Sequence, residues 1–547
     1  MLWTAGRDGP GASSLRAEDE LQVSDMPDSA QPAAVKTDLK KQLSPNLISN
    51  GMVLGLNILI SLWFTPYLIR RLGVEVYGLL PLALTLTAYL NIITLSLNNA
   101  AGRFLTIDLN KKDNFSASRT FNTFFFGNVG LIILCLPIVA VVVIFIPRLF
   151  NIPQGQEFFA QYLFLAIFAG YLLGVFRSSF SVSSWALNRF DLRNIFVALY
   201  YIVRAGFVAL LFFIFRPSLL HVGTGFFLAA CFWLAGDMLL WKKLTPQLRI
   251  KPDFFDKSRL GQLFTMGGWL LINQLGVMLF LKIDLIIANT FLGAKIAGEY
   301  GSVLIFSSLI QQLAYNISMT LTPSFVSKYA SGDSDSLKRI SQLAVKCMGL
   351  VLVLPVGLIC GFSRPLLWLW LGKNFQHLQP LLIILTVHLA LNMAVRPFFG
   401  LIVAFNKVRV PGLVSMGVGV FNLLLAIVLL QSGWGVLGIA LSGALSMTLR
   451  NLFFTPLYAA HIQKLPLFTY FTKLLPLVVL NAVFIGVVLG INQLITVKTW
   501  LALALLAAAI GLAYSFLTYG FVLKNEEKSL LWKLLPFRVR PEAYENE

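Results

Sequence analysis

The sequence predicts an all-α polytopic membrane protein of about fourteen transmembrane helices, arranged as two parallel six-helix repeats followed by two extra C-terminal helices. Three observations predict it. From about residue 45 to residue 524 the chain is almost wholly apolar runs of about twenty residues, the length that crosses a bilayer core. Lys and Arg sort between alternate loops. The second half also matches the first at an offset of about 220 residues. Composition agrees, with 57% hydrophobic and only 12% charged residues and a mean hydropathy of +0.78. A soluble chain of this make-up would expose far more apolar surface than monomers tolerate.

The spans fall at roughly 46–69, 76–101, 119–146, 158–182, 194–215, 222–241, 263–291, 297–322, 341–362, 377–405, 410–430, 434–457, 472–492 and 499–523. Loops after the even-numbered spans hold about twenty Lys and Arg, among them Lys111, Lys112, Arg119, Lys242, Lys243, Lys251, Arg339, Lys407 and Arg409. Loops after the odd-numbered spans hold about eight, including Arg70, Arg71, Arg148, Lys295 and Lys498. The excess marks the cytoplasmic side, so both termini are expected there. The net charge of +19 then reads as basic loops at anionic headgroups, and no basic domain is present for nucleic acid.

The domain plan follows. Residues 1–44, rich in Ser, Ala, Pro, Asp and Glu, read as a disordered cytoplasmic tail, with Met26 as an alternative start to Met1. They contain no apolar core of a cleavable signal. Residues 45–242 form the N-lobe, 243–262 a cytoplasmic linker, 263–458 the C-lobe, 470–524 the extra helices, and 525–547 a basic cytoplasmic tail. Leu530, Leu531, Leu534 and Leu535 with Lys528, Lys533, Arg538 and Arg540 suggest a short amphipathic segment on the inner surface. The four cysteines, Cys135, Cys231, Cys347 and Cys360, lie in or beside spans with no metal-ligand spacing and read as packing residues.

Several matches carry the repeat. Leu72-Gly73 with Gly78 corresponds to Leu292-Gly293 with Gly298, both in turns where glycine is expected to permit the reversal. Asp113, Ser116 and Arg119 fall on Asp333, Ser336 and Arg339. Arg177 and Phe180, then Ala186-Leu187-Asn188-Arg189, parallel Arg396 and Phe399, then Ala404-Phe405-Asn406-Lys407. Six spans is an even number, so both copies have one orientation. Such repeats place a substrate site between lobes near mid-membrane.

Ionisable groups inside spans cost about 2.5–3.5 kcal/mol near the centre on insertion scales and usually face a polar cavity or one another. Arg177, Arg204 and Arg396 stand well inside their helices, and a guanidinium fork suits phosphate. They are read as an anion-binding set, the competing reading being helix carbonyls or an unseen acid. Lys346 and Asp237 lie near enough to a span end to snorkel. Lys282 and Asp284 are two apart and share no helix face. Asp284 is the candidate for a coupling ion, H+ or Na+. Asn98, Asn99, Asn273, Gln274 and Asn316, with Gln311 and Gln312, could line a sugar-binding cavity or tie helices together.

The run from Asn50 to Arg71 into Leu72-Gly73-Val74-Glu75-Val76-Tyr77-Gly78 resembles the opening of bacterial Wzx-type polysaccharide flippases. The run from Asp284 to Leu292-Gly293, then Gly298-Glu299-Tyr300, resembles their second half. These flippases belong to the multidrug/oligosaccharidyl-lipid/polysaccharide exporter (MOP) superfamily, and the resemblance covers about residues 46–524. It implies two six-helix lobes around a V-shaped cavity in the inner membrane. It also implies that a polyprenyl-pyrophosphate-linked oligosaccharide is turned from the cytoplasmic to the outer leaflet for polysaccharide export. Membrane lipids and other polysaccharide-assembly proteins are the implied partners, and no cofactor is implied beyond a coupling H+ or Na+. Drug exporters of the same superfamily are the alternative, but organic cations call for deep acids and this chain has more deep bases. A membrane glycosyltransferase or polymerase fits less well, because the outer loops are short and lack an acidic pair. The phosphate-loop pattern for ATP is also absent.

Overall fold

A computed structural model describes the backbone of residues 33–534, and the side chains of that stretch except 33–44, 47, 93, 95–97, 99–100, 262–272 and 530–534. The expectations for residues 1–32, for the choice between Met1 and Met26, and for Leu535, Arg538 and Arg540 lie outside the described residues. So do those for the side chains of Asn99, Leu530, Leu531, Lys533 and Leu534.

Apolar runs make the described chain helical. α1 is Ala33–Leu72, α2 Leu79–Asn110 and α3 Asn114–Leu149. α4 is Glu157–Ala186, α5 Phe190–Ile214 and α6 Leu219–Leu244. α7 comes in two arms, Lys257–Leu281 and Ile283–Leu292, bent by 43°. α8 is Ala294–Ala330 and α9 Ser334–Gly361. α10 is interrupted, with helical pieces Gln379–Val387, Leu389–Asn392 and Phe398–Ala404. α11 is Arg409–Leu429, and α12 runs from Gly435–Thr448 through a π-helical turn, Leu449–Phe454, into Thr455–Ile462. α13 is Phe471–Leu494 and α14 Trp500–Leu517.

Ten of the described helices are long and apolar enough to cross a membrane, or eleven with the two arms of α7 joined. The difference from fourteen has physical causes. Arg409–Ile462 counts as one run of 54 residues, roughly 80 Å of helix at 1.5 Å per residue and far more than one crossing needs. Gly433 at φ 86° and Gly435 at φ 54° break it into the hairpin α11–α12. α10 is too broken to pass by length, and α8 carries Gln311, Gln312 and Asn316.

Other boundaries shift. The backbone is already helical from Ala33, so residues 33–44 extend α1 instead of belonging to an irregular tail; Ala, Leu, Lys and Gln there are good helix formers. The linker ends at Asp256, whose side chain caps α7 by accepting from the Ser258 and Arg259 amides. The stretch 363–376, expected as a loop, contains the helix Ser363–Leu371 and a 3-10 turn, Lys373–Leu378. Asn525–Leu534, expected within a basic tail, is helical and docked: Lys346 Nζ meets Glu527 Oε2 at 2.6 Å and the Val522 carbonyl at 2.8 Å. Lys346 therefore does not snorkel; it holds the C-terminal helix.

The repeat is visible in local geometry. Asp113 and Asp333 cap α3 and α9, accepting from the Ser116 and Ser336 amides at 2.9 and 3.0 Å. Asn188 and Asn406 both take the left-handed conformation, at φ 54° and 53°. Each closes its helix by the same bonds, with Arg189 N donating to Ser184 O and Lys407 N to Ile402 O. Gly73 and Gly293 make the reversals, at φ 84° and 92°. Gly78 and Gly298 do not. Gly78 has helical φ, and a Cβ on it would lie 2.7 Å from Gly298 N, while one on Gly298 would overlap Val74 O. These matched glycines exist for close approach, one lobe's turn seated on the other's.

That contact joins the lobes at one face of the protein, called distal here; the opposite face, which carries the two ends of the described stretch, is the terminal face. Asn151, after α3, exchanges hydrogen bonds with Asn289 of α7: its amide donates to Oδ1 at 3.0 Å and its Nδ2 to the Asn289 carbonyl at 2.6 Å. Asn289 Nδ2 returns a bond to Asn151 O at 3.2 Å. Trp370 Nε1 donates to Leu62 O at 2.6 Å, and Asn57 Nδ2 to Gln312 Oε1 at 2.9 Å halfway along α1 and α8. Beyond this point no hydrogen bond or ion pair among the described residues joins α1 to α8. Met52 on α1 and Tyr315, Met319 and Val326 on α8 are exposed. The terminal end of α1 stays with its own lobe, Asn46 bridging the Asn188 carbonyl and the Asp191 amide at 2.9 Å each.

Candidate functional site

The deep arginines divide by lobe. Arg177 on α4 meets Asp237 Oδ2 of α6 at 2.5 Å, and its guanidinium lies 3.7 Å from the Trp233 ring centroid. Asp237 is completely buried, so it does not snorkel; it neutralises Arg177 inside the lobe. Arg204 on α5 is ringed by Phe64, Tyr200, Tyr201 and Phe226, the nearest centroid at 4.9 Å, and its buried Nε has no hydrogen-bond partner.

Arg396 is the positional match of Arg177, but no carboxylate meets it among the described residues. It lies in the unwound part of α10, over Tyr315 at 5.3 Å and Phe399 at 4.8 Å. A second guanidinium, Arg450, sits 4.7 Å from the same Phe399 ring. Arg450 is 3% exposed and occupies the π-helical turn of α12. It donates to Ser415 Oγ at 2.8 Å, Asn451 Oδ1 at 2.9 Å and Asn273 Oδ1 at 3.4 Å. Asn451 in turn donates to the Asn392 carbonyl at 3.0 Å, spanning the break in α10. All of Arg450's partners are neutral. The expectation of matching arginines gripping from opposite lobes therefore meets an asymmetry: Arg177 has an internal counter-ion and Arg396 a second cation.

Sequence reasoning missed Arg450 because it sits near a predicted span end; the fold carries α12 on to Ile462, placing Arg450 mid-helix. Among the expected amides, Asn273 joins this cluster. Gln274 and Asn316 are half-buried but make no contact with the arginines among the described interactions. Asn98 is half-buried with a buried, unpartnered Oδ1. Gln312 is spent on Asn57 across the lobes.

Asp284 stands on the second arm of α7, just past the bend at Lys282, and is buried. Tyr300 Oη donates to its Oδ2 at 2.9 Å and Asn422 Nδ2 to its Oδ1 at 3.3 Å. Gly443 of α12 comes so near that a Cβ there would lie 2.8 Å from Oδ2. Every described partner is neutral, and Lys282 is not one of them. Such a carboxylate, enclosed by three helices, can take a proton or a small cation. Among the described residues no group of three or more His, Cys, Asp or Glu could hold a metal ion. The four cysteines are free.

Comparison with known proteins places the chain in a family. A family model described as polysaccharide biosynthesis protein matches residues 43–328. The uncharacterized membrane protein EpsK of Bacillus subtilis (strain 168) is 30% identical over 493 residues, covering 89% of this chain and 97% of its own. Among solved structures, the lipid II flippase MurJ in an inward closed conformation superposes with a TM-score of 0.59 at 15% identity, covering 87% of this chain and 99% of its own. An inward-facing multidrug resistance MATE family transporter of the MOP superfamily gives 0.58 at 14% identity, covering 75% and 95%. These structures share the fold, that of a polytopic helical membrane protein. With more than half its length matched by the family model and a near full-length relative at 30% identity, the chain belongs to the polysaccharide biosynthesis protein family of membrane proteins.

Proposed function

We propose that this protein is a transporter that flips a polyprenyl-pyrophosphate-linked oligosaccharide from the cytoplasmic to the outer leaflet of the inner membrane, by rocking its two lobes. The terminal face, rich in Lys and Arg, is the cytoplasmic one. One observation carries the reading. The lobes meet backbone to backbone at the distal face through the Gly78–Gly298 contact, and beyond Asn57–Gln312 the α1–α8 seam has no hydrogen bond or ion pair among the described residues, whereas at the terminal end of the other seam Arg259 of α7 pairs with Asp108 of α2 at 3.1 Å. A headgroup entering from the cytoplasm would meet deep arginines, and its lipid tail could stay in the bilayer along the α1–α8 seam. MurJ, which shares the fold, is a lipid II flippase, and the family is named for polysaccharide biosynthesis, which fits a lipid-linked sugar. Asp284 would take the coupling H+ or Na+, and its change of charge would be felt at the α7 bend. The drug-exporter reading is disfavoured by the C-lobe arginines, which would repel an organic cation.

The test is flipping of a polyprenyl-pyrophosphate oligosaccharide in proteoliposomes, read by reporter accessibility with and without an ion gradient, for wild type and Asp284→Asn. Gradient-driven flipping by wild type, lost in Asp284→Asn while that variant folds, is the expected result. Efflux of organic cations with no glycolipid movement would overturn it.

A further inference from the structure

The matched helix pairs of the two lobes are copies in outline but differ in charge. On the matched helix pairs, α4–α6 holds an arginine with a carboxylate, and α10–α12 holds an arginine with an arginine. Two guanidiniums against one aromatic ring repel, and burial removes the water that would screen them. Such a pair persists where an anion joins it. The helices are also irregular just there. Arg396 lies in the unwound stretch between Asn392 and Phe398, and Arg450 in the π-helical turn Leu449–Phe454. Interrupted and π-bulged membrane helices are the usual places for ligand sites, since freed backbone groups and re-aimed side chains face a cavity there.

We infer that the C-lobe carries an anion subsite. Arg396 and Arg450, with Ser415, Asn273 and Asn451 fixing the Arg450 plane, hold a phosphate-class oxyanion, and the two guanidiniums lie 4.8 and 4.7 Å from the Phe399 ring centroid. The inference rests on the flippase reading for the source of that anion, the diphosphate of the lipid carrier. Arg177 is excluded from the grip because Asp237 already neutralises it, whereas the partners of Arg450 are all neutral. Arg450, immobilised by three neutral oxygens, is the pre-oriented half; Arg396, half-buried and without a polar partner among the described residues, is the half that swings to the ligand.

The experiment is equilibrium binding of geranyl diphosphate to the full-length protein in nanodiscs, with inorganic pyrophosphate and glucuronate as competitors. Wild type should bind, with competition by pyrophosphate and none by glucuronate. Arg396→Gln should weaken binding about tenfold or more, as should Arg450→Lys, which keeps the charge and loses the fork. The paired change Arg177→Gln with Asp237→Asn should leave the affinity within about twofold. Unchanged binding in Arg396→Gln, an equal loss in the N-lobe pair, or competition by glucuronate would each overturn the subsite. Because binding is read without transport, the two readings fail separately. Binding that depends on the C-lobe arginines in a protein that flips nothing would sink the flippase and leave the subsite. Flipping that survives both arginine changes would do the reverse.

Discussion

Changing Asp237 to Asn keeps the shape of the side chain and removes the charge that balances Arg177. The pair is well made, with Nη1 and Oδ2 at 2.5 Å, Asp237 fully buried and Arg177 only 13% exposed. The Trp233 ring at 3.7 Å covers the guanidinium, so the stranded cation cannot turn to water. Removing one partner of such a pair costs about 3–5 kcal/mol, because the remaining charge stays buried. In a chain of this size that lowers the melting temperature by roughly 5–10 °C. Replacing both, Arg177→Met with Asp237→Leu, should return stability to within about 1–2 kcal/mol of wild type, because no buried charge is left over. Melting followed by size-exclusion chromatography in detergent reads wild type, Asp237→Asn, the singles Arg177→Met and Asp237→Leu and their double, and the cycle formed by the last three with wild type should show the single losses failing to add. An Asp237→Asn protein that melts within about 1 °C of wild type would refute the assignment of a buried structural pair. So would a double variant as unstable as the sum of the singles.

Three further outcomes are expected. In Gly298→Val the new side chain meets the Val74 backbone, which cannot rotate away, so the distal face should open. Labelling of the buried Ala297, as Ala297→Cys in a background without native cysteines, by an impermeant maleimide should rise at least several-fold, and unchanged labelling would remove the glycine contact as the seal. Hydrogen bonds from Ser336, then Lys328, pull the Asp333 carboxyl down to about 2. A group depressed in the folded state stabilises it fully above the unfolded carboxylate value near ~3.9 and loses that effect as pH falls toward the folded value. Protection of the Ser336 amide, corrected for intrinsic exchange, should therefore fall between pH 4 and pH 2 on the scale of those two values, and equal protection across that range would refute the cap. Glu527→Gln removes the 2.6 Å pair with Lys346, so trypsin should cut after Lys524 or Lys528 roughly tenfold faster. An unchanged rate would mean that the C-terminal helix is held by its apolar face alone.

Much of the architecture could be read before any coordinates. The Asp113–Ser116 and Asp333–Ser336 matches turned out to be the same cap, and Asn188 and Asn406 the same left-handed helix stop. Such local geometry depends on a few neighbouring residues, so the pattern of letters carries it. Gly78 and Gly298 were correctly matched but misread: glycine for a turn and glycine for close approach look identical in a string, and only the facing surface tells them apart. Asp237 shows the same limit. Counting residues to a span end suggested a side chain reaching water, whereas α4 lays Arg177 against it and the Trp233 ring covers that guanidinium.

The sequence by itself determined that this chain is a membrane-embedded helical protein with a duplicated plan, because apolar run length, loop charge and repeated caps are properties of short segments. The tertiary structure alone decided where the two lobes meet backbone to backbone. It also decided that the matched arginines have opposite surroundings, and that Arg450 stands beside Arg396. Those facts depend on which helices become neighbours and how each is rotated. A buried charge is defined by what lies within a few ångströms of it, and residues such as 177 and 237, or 396 and 450, come that close only when the helices fold together.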